Sequence, residues 1–236
     1  MREAGRIVAD TLNFMRAEVK PGVTTAELDA KADELIRKRG AKPSFKGYQG
    51  FPASICVAVN NEVVHGIPGQ RRLKDGDIIT IDVGANYRGL HGDAAISIPV
   101  GQVSPLARRL LEVCEASLYV GIEEARVGRR LTDIGDAIQN YVEGEGFSVV
   151  RQYCGHGVGR SLHEDPQVFH HGPGGKGPVL RRGMVFTIEP MINAGGPDTQ
   201  LLGDKWTVIT ADGSLSAQFE HTVAITEDGP RLLTLP

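Results

Sequence analysis

Leu73-Lys74-Asp75-Gly76-Asp77-Ile78-Ile79-Thr80-Ile81-Asp82 and Leu180-Arg181-Arg182-Gly183-Met184-Val185-Phe186-Thr187-Ile188-Glu189 are two versions of one pattern, about 107 residues apart. Each runs from leucine through a basic residue and a glycine turn into a short apolar stretch that ends Thr-Ile-acid. Such β-branched runs bounded by turn residues read as buried strands. The echo extends outward. His65-Gly66-Ile67-Pro68 matches His163-Glu164-Asp165-Pro166, Gly22-Val23-Thr24 matches Arg130-Leu131-Thr132, and Gly40 matches Gly146. Two half-domains, about 1–100 and 101–236, therefore each deliver a histidine and a strand-ending acid. Two carboxylates brought together away from water need a cation to offset their desolvation.

The remaining strands and helices follow from periodicity. Ile7, Leu12, Met15 and Val19 fit one helix that Pro21-Gly22 stops. Thr24 or Thr25 caps a second helix, which ends at Gly40. Residues 53–59, 77–83 and 93–98 read as strands. In the second half, helices are expected over 105–125 and 131–143, and strands near 148–152, 184–191, 205–210 and 217–226. Strands grouped after helices point to α+β with a curved antiparallel sheet backed by helices. Residues 1–236 then form a single domain. The run Gly172-Pro173-Gly174-Gly175-Lys176-Gly177 lacks the Ser or Thr and the following helix of a phosphate loop, so it reads as a flexible loop.

Composition narrows the class. The chain has 41% hydrophobic and 23% charged residues, ordinary for a soluble globular protein. A net charge of -3 argues against a broad nucleic-acid face and for no nucleic-acid specificity. The arginine pairs Arg71-Arg72, Arg108-Arg109, Arg129-Arg130 and Arg181-Arg182 read as solvated corners. No apolar run is long enough for a membrane span, and Met1-Arg2-Glu3-Ala4-Gly5 is no signal peptide. Three cysteines without C-x-x-C spacing fit a cytoplasmic protein.

Five residues carry the chemistry. Asp82 and Glu189 end the repeated strands. Asp93 lies among small neighbours in His91-Gly92-Asp93-Ala94-Ala95. His156 is flanked by glycines, and Glu220 lies in Gln218-Phe219-Glu220-His221-Thr222. Singly, each has a bland reading as a turn, loop or surface residue. Together, four carboxylates and one imidazole suit divalent manganese, iron or cobalt, and that much negative charge favours two ions over one.

These segments, with Asn60-Asn61-Glu62-Val63-Val64-His65-Gly66-Ile67-Pro68 and Tyr153-Cys154-Gly155-His156-Gly157-Val158-Gly159-Arg160, occur in an order that resembles the pita-bread metallopeptidase family. Within it the chain is most similar to the bacterial-type methionine aminopeptidases. The resemblance spans nearly the whole chain. It implies a dinuclear site in which Asp82 chelates one ion, His156 and Glu189 bind the other, and Asp93 and Glu220 bridge them. It implies that Glu189 shuttles a proton, that His163 hydrogen-bonds the scissile carbonyl, and that His65 contacts the substrate amide nitrogen. It also implies that Tyr48, Phe51, Cys56, Leu162 and Trp206 form the methionine slot.

Phe51 and Leu162 stand where relatives often carry tyrosine and phenylalanine, which implies a looser slot. Relatives also have roughly ten further residues before Met1, and Cys154 is not a family ligand. The implied activity is metal-dependent removal of N-terminal methionine from nascent polypeptides when the second residue is small, by a cytoplasmic monomer. That activity leaves room for a transient contact with the ribosome. By the small-residue rule, Arg2 would keep Met1 on this protein itself. Two other readings stay open: an Xaa-Pro peptidase on the same fold, whose members usually carry a large extra N-terminal domain, and a binding protein of that fold without catalysis.

Overall fold

The structure is a computed structural model that describes residues 1–236. Helix α1 (Arg2–Glu18) buries Ile7, Val8, Leu12 and Met15 on one face. Helix α2 (Thr25–Lys38) begins at Thr24, whose Oγ1 accepts from Glu27 N at 3.2 Å while the Glu27 carboxylate accepts from Thr24 N at 2.7 Å. That reciprocal pair satisfies two helix-end donors. Strands β1 (Lys42–Pro43), β2 (Ile55–Val59), β3 (Glu62–Val64), β4 (Ile78–Tyr87) and β5 (Leu90–Pro99) complete the first half. β4 lies between β5 on one side and β1 and β2 on the other, all antiparallel.

The second half repeats the plan with α3 (Pro105–Glu124) and α4 (Leu131–Gly144). Its strands are β6 (Ser148–Val149), β7 (Gly155–Gly157), β8 (Glu164–Val168), β9 (Val185–Ile188), β10 (Met191–Asn193), β11 (Thr199–Leu201), β12 (Val208–Thr210), β13 (Ser216–Gln218), β14 (His221–Thr226) and β15 (Gly229–Leu232). Its main sheet has the order β15-β14-β9-β7-β8. Isolated bridges Thr24↔Arg72 and Arg130↔Val179 are counterparts in the two halves.

The sequence echo needs one correction here. Thr24 corresponds to Arg130 rather than to Thr132, because the caps are defined by backbone and by the acid three residues on. Arg130 N donates to Asp133 Oδ2 at 2.9 Å, as Thr24 N does to Glu27.

The expected single curved sheet is divided by its hydrogen bonds into four. The divisions are local and physical. The stretch 184–191 splits at Glu189-Pro190, since proline has no N–H for a ladder. The stretch 217–226 splits at Phe219-Glu220, where Glu220 N leaves the ladder to donate to Ala95 O at 2.9 Å. The halves are stitched by the same region. Asp93 N donates to Thr222 Oγ1 at 3.0 Å, Thr222 Oγ1 to Asp93 O at 2.7 Å, and Ser97 Oγ to Gln218 O at 2.9 Å. The expected strand 148–152 shortens to β6, and β3, β7, β8, β11 and β15 are too short or too irregular for periodicity to reveal.

Each half has its own core. Met15, Leu28, Ile36, Ile55, Ile79 and Ile81 are completely or almost completely buried in the first, as are Leu110, Leu118, Ile134, Phe186 and Ile188 in the second. The 172–177 loop is fastened to the start of α4, with Gly175 N donating to Asp133 Oδ1 at 2.7 Å and Lys176 N to Thr132 Oγ1 at 2.8 Å. No helix is long and apolar enough to cross a membrane. Among the paired arginines, Arg71 pairs with Glu62, Arg109 with Glu145 and Arg129 with Glu124, while Arg72 and Arg130 donate to carbonyls of Gly22 and Gly177.

Helix α1, strand β5 and the C-terminal segment interlock through glycine. A Cβ on Gly5 would lie 2.0 Å from Leu233 O, and one on Gly92 would lie 2.8 Å from Gly5 N. Gly5→Ala is expected to destabilise the fold by about 1–3 kcal/mol, because backbone on both sides cannot give way. Urea denaturation checks this; an unchanged midpoint would show that α1 slides freely over β5.

Candidate metal centre and substrate cleft

Asp82 and Asp93 face the same side of the β4–β5 ladder. Asp82 pairs with Ala95 and Asp93 with Gly84, so they are diagonal neighbours on one face. Glu189 and Glu220 sit at the two strand breaks described above, where the chain turns its side chains toward that face. His156 lies on β7, and its glycine neighbours have a steric reason. A Cβ at 155 would lie 2.4 Å from Thr187 O, and one at 157 would lie 2.1 Å from Asp165 O.

Ligand atoms of Asp93, His156 and Glu220 lie within 4.8 Å of one another. His156 Nε2 is 3.8 Å from Asp93 Oδ2 and 3.7 Å from Glu189 Oε1. Asp93 is 4% exposed and Glu220 2%, leaving little water to solvate two anions. Oδ1 of Asp82, Oδ1 of Asp93 and Oε1 of Glu220 are buried with no hydrogen-bond partner. Burial raises the pKa of all four carboxyls, and mutual repulsion raises Asp93, Glu220 and Glu189 further. Burial also pushes His156 down to about 4, with His163 adding to the effect, so its imidazole is neutral and has a lone pair for a cation. Unpartnered oxygens, converging anions and a neutral imidazole form a donor set that fits hard or borderline divalent ions. Thiolates, which a structural zinc site would favour, are absent from the cluster.

A cavity of about 330 Å³ opens over this cluster, and every residue expected at the site lines it: Tyr48, Phe51, Cys56, His65, Asp82, Asp93, His156, Leu162, His163, Glu189, Trp206 and Glu220. One end is polar. At the other, Phe51 meets Trp206 edge to face at 5.0 Å, and Phe45, Cys56 and Leu162 pack with them. His163 stands between two rings, 4.0 Å from His156 and 5.2 Å from Tyr48 by centroids. His65 packs edge-on against Tyr153 at 5.8 Å and takes a left-handed backbone, φ +61, that non-glycine residues rarely adopt. Burial first, and His163 second, hold His65 down at about 4. Burial, and then the nearby carboxylates, push the Cys56 thiol up.

Sequence reading missed the residues that hold Glu189. Thr187 Oγ1 donates to Glu189 Oε1 at 2.7 Å, Gln218 Nε2 to Glu189 Oε2 at 3.3 Å, and Glu189 N to His170 Nε2 at 3.0 Å. Thr187 was visible as part of the repeated Thr-Ile-acid pattern. Its counterpart Thr80 instead bonds Ser97 Oγ at 2.7 Å, so the repeat alone did not reveal the role. Gln218 stood in the quoted Glu220 segment and His170 in no motif; neither role was readable, because they reach Glu189 from β13 and from the loop after β8. Phe45, Gln49 and Tyr153 also line the cavity.

Comparison with known proteins places this geometry. "Methionine aminopeptidase 1" of Bacillus subtilis is 60% identical over 99% of this chain and 94% of its own length. The crystal structure of methionine aminopeptidase from Rickettsia prowazekii superposes with a TM-score of 0.98 at 47% identity, covering 100% of this chain and 95% of that one. Methionine aminopeptidase from Thermotoga maritima gives 0.99 at 45% identity, with 100% and 95% coverage. A profile of metallopeptidase family M24 matches residues 1–227, which include the whole acidic cluster and both cleft histidines. A match of that extent, with full-length relatives at this identity, means that the chain belongs to metallopeptidase family M24 and binds divalent metal.

Proposed function

We propose that this protein releases the N-terminal methionine of new polypeptides whose second residue is small, using two divalent ions. The observation that carries the reading is the junction of two environments in one cleft. Four converging carboxylates, three of them with an unpartnered oxygen, lie at one end, and a slot walled by Tyr48, Phe51, Cys56, Leu162 and Trp206 lies at the other. An unbranched thioether suits such apolar and aromatic walls.

In this reading Asp82 would hold one ion, His156 and Glu189 would hold the other, and Asp93 and Glu220 would serve both. When bound, the ions supply Lewis acidity and make water a nucleophile near neutral pH. Glu189 takes a proton from the attacking water and passes it to the leaving amine. Its two oxygens are already oriented by Thr187 and Gln218. His163 donates to the scissile carbonyl as it becomes an oxyanion, and His65 contacts the amide nitrogen. The ions are cobalt, manganese or iron. The enzyme acts as a cytoplasmic monomer on chains as they leave the ribosome.

The test is release of free methionine from Met-Ala-Ser and Met-Arg-Ser by protein stripped with chelator and reloaded with manganese or cobalt. Expected are no release when stripped, release from Met-Ala-Ser on reloading, and at least tenfold slower release from Met-Arg-Ser. Reloaded protein that leaves Met-Ala-Ser intact sinks the assignment.

A further inference from the structure

Tyr48 does more than wall the slot. Its hydroxyl lies 2.9 Å from His163 Nδ1, and its ring stacks on that imidazole at 26° between planes. The tyrosine is held by an unusual turn. Gly47, Gln49 and Gly50 have φ of 86°, 50° and 90°, and Tyr48 N donates to Phe45 O at 2.9 Å while Phe51 N donates to Tyr48 O at 2.9 Å. Three left-handed residues around one tyrosine fix the path of the backbone there, and the stack and hydrogen bond hold the ring on His163. One of them, Gln49, is not glycine and adopts this conformation at a cost.

A neutral imidazole carries one proton, and the partner of one nitrogen decides where the proton sits. A phenol is a better donor than acceptor, and His163 Nδ1 is the only hydrogen-bond partner of the Tyr48 hydroxyl. If the phenol donates to Nδ1, the imidazole proton sits on Nε2, the nitrogen turned away from Tyr48. If Nδ1 carried the proton instead, Nε2 would present a lone pair, which repels a developing oxyanion.

We propose that Tyr48 is a positioning residue that locks His163 in the Nε2–H tautomer and so prepares it to donate to the scissile carbonyl. This rests on the peptidase reading above. It also couples specificity to rate. The ring that contacts the substrate side chain is the ring that sets the donor, so a side chain seated against Tyr48 steadies His163 as well.

Two measurements decide it. In protein labelled with ¹⁵N-histidine, long-range correlation spectra of His163 (assigned with His163→Ala) are expected to show the Nε2–H form, drifting toward a mixture in Tyr48→Phe. That substitution keeps the ring and removes only the hydroxyl. Steady-state kinetics on Met-Ala-Ser are expected to show kcat about tenfold lower in Tyr48→Phe with KM within twofold. The losses from Tyr48→Phe and His163→Ala should not multiply in the double variant, since both act through one imidazole. A wild-type His163 found as Nδ1–H overturns the proposal. So does a Tyr48→Phe effect confined to KM, or one that multiplies with His163→Ala. If the wild type releases no methionine at all, the peptidase reading fails, while the tautomer measurement on wild type and Tyr48→Phe still decides the role of Tyr48.

Discussion

Asp93→Asn is expected to abolish metal-dependent turnover and, in the same protein, to stabilise the metal-free fold. The two effects have one cause. Asp93 is almost fully buried, its Oδ1 has no partner, and its pKa is raised by burial and then by the charges of Asp82 and Glu189. Without cations its ionised form is an uncompensated charge among like charges. With them it is the carboxylate assigned to both ions. Losing a ligand of that kind removes several kcal/mol of transition-state stabilisation, and about 4 kcal/mol corresponds to roughly a thousandfold in rate.

In the metal-free state the isosteric amide removes the repulsion. A gain of about 1 kcal/mol would raise Tm by roughly 2–4 °C in a chain of this size. The pH dependence follows in sign. A carboxyl whose folded pKa lies above its unfolded value contributes fully below the unfolded pKa, about 4, and loses that contribution as pH rises toward the folded pKa. The Tm advantage of Asp93→Asn over wild type should therefore widen from about pH 4.5 to 7.5 in chelator and reverse when manganese is added. Scanning calorimetry in both conditions checks it. A metal-free variant no more stable than wild type at pH 7.5 would mean that the cluster is relaxed without ions.

His163→Ala is expected to lower kcat by about 10²–10³ while leaving KM for Met-Ala-Ser within a few-fold, the behaviour of a donor used chiefly in the transition state. His163 reaches the cleft from the loop before β8, outside the acidic cluster and outside the apolar slot. It is placed there by its stack on Tyr48 and His156. Removing it leaves both the cation ligands and the side-chain walls standing, so metal content by plasma emission spectrometry should not change. A variant that binds metal normally but fails through KM alone would show that His163 only holds the substrate.

Much of this molecule was legible in its residues. The duplicated Thr-Ile-acid strands implied two halves and one shared anionic site, because an apolar strand that ends in an acid twice has few uses for it away from a cation. The helix cap at Thr24 and the helix end at Gly40 were readable because local steric rules act within a few residues.

What the sequence did not contain was the sharing of neighbours across distance. The breaks at Glu189-Pro190 and Phe219-Glu220 fell inside continuous β-rich runs, and only packing of the halves gave Glu220 N a partner in Ala95. Two supports of Glu189, His170 and Gln218, came from 19 and 29 positions away, and the phenol on His163 came from a residue 115 positions away. Residue type and spacing determined which groups could do chemistry. Tertiary structure decided how each is held, because hydrogen bonds between remote segments form only after the two hydrophobic cores have brought those segments together.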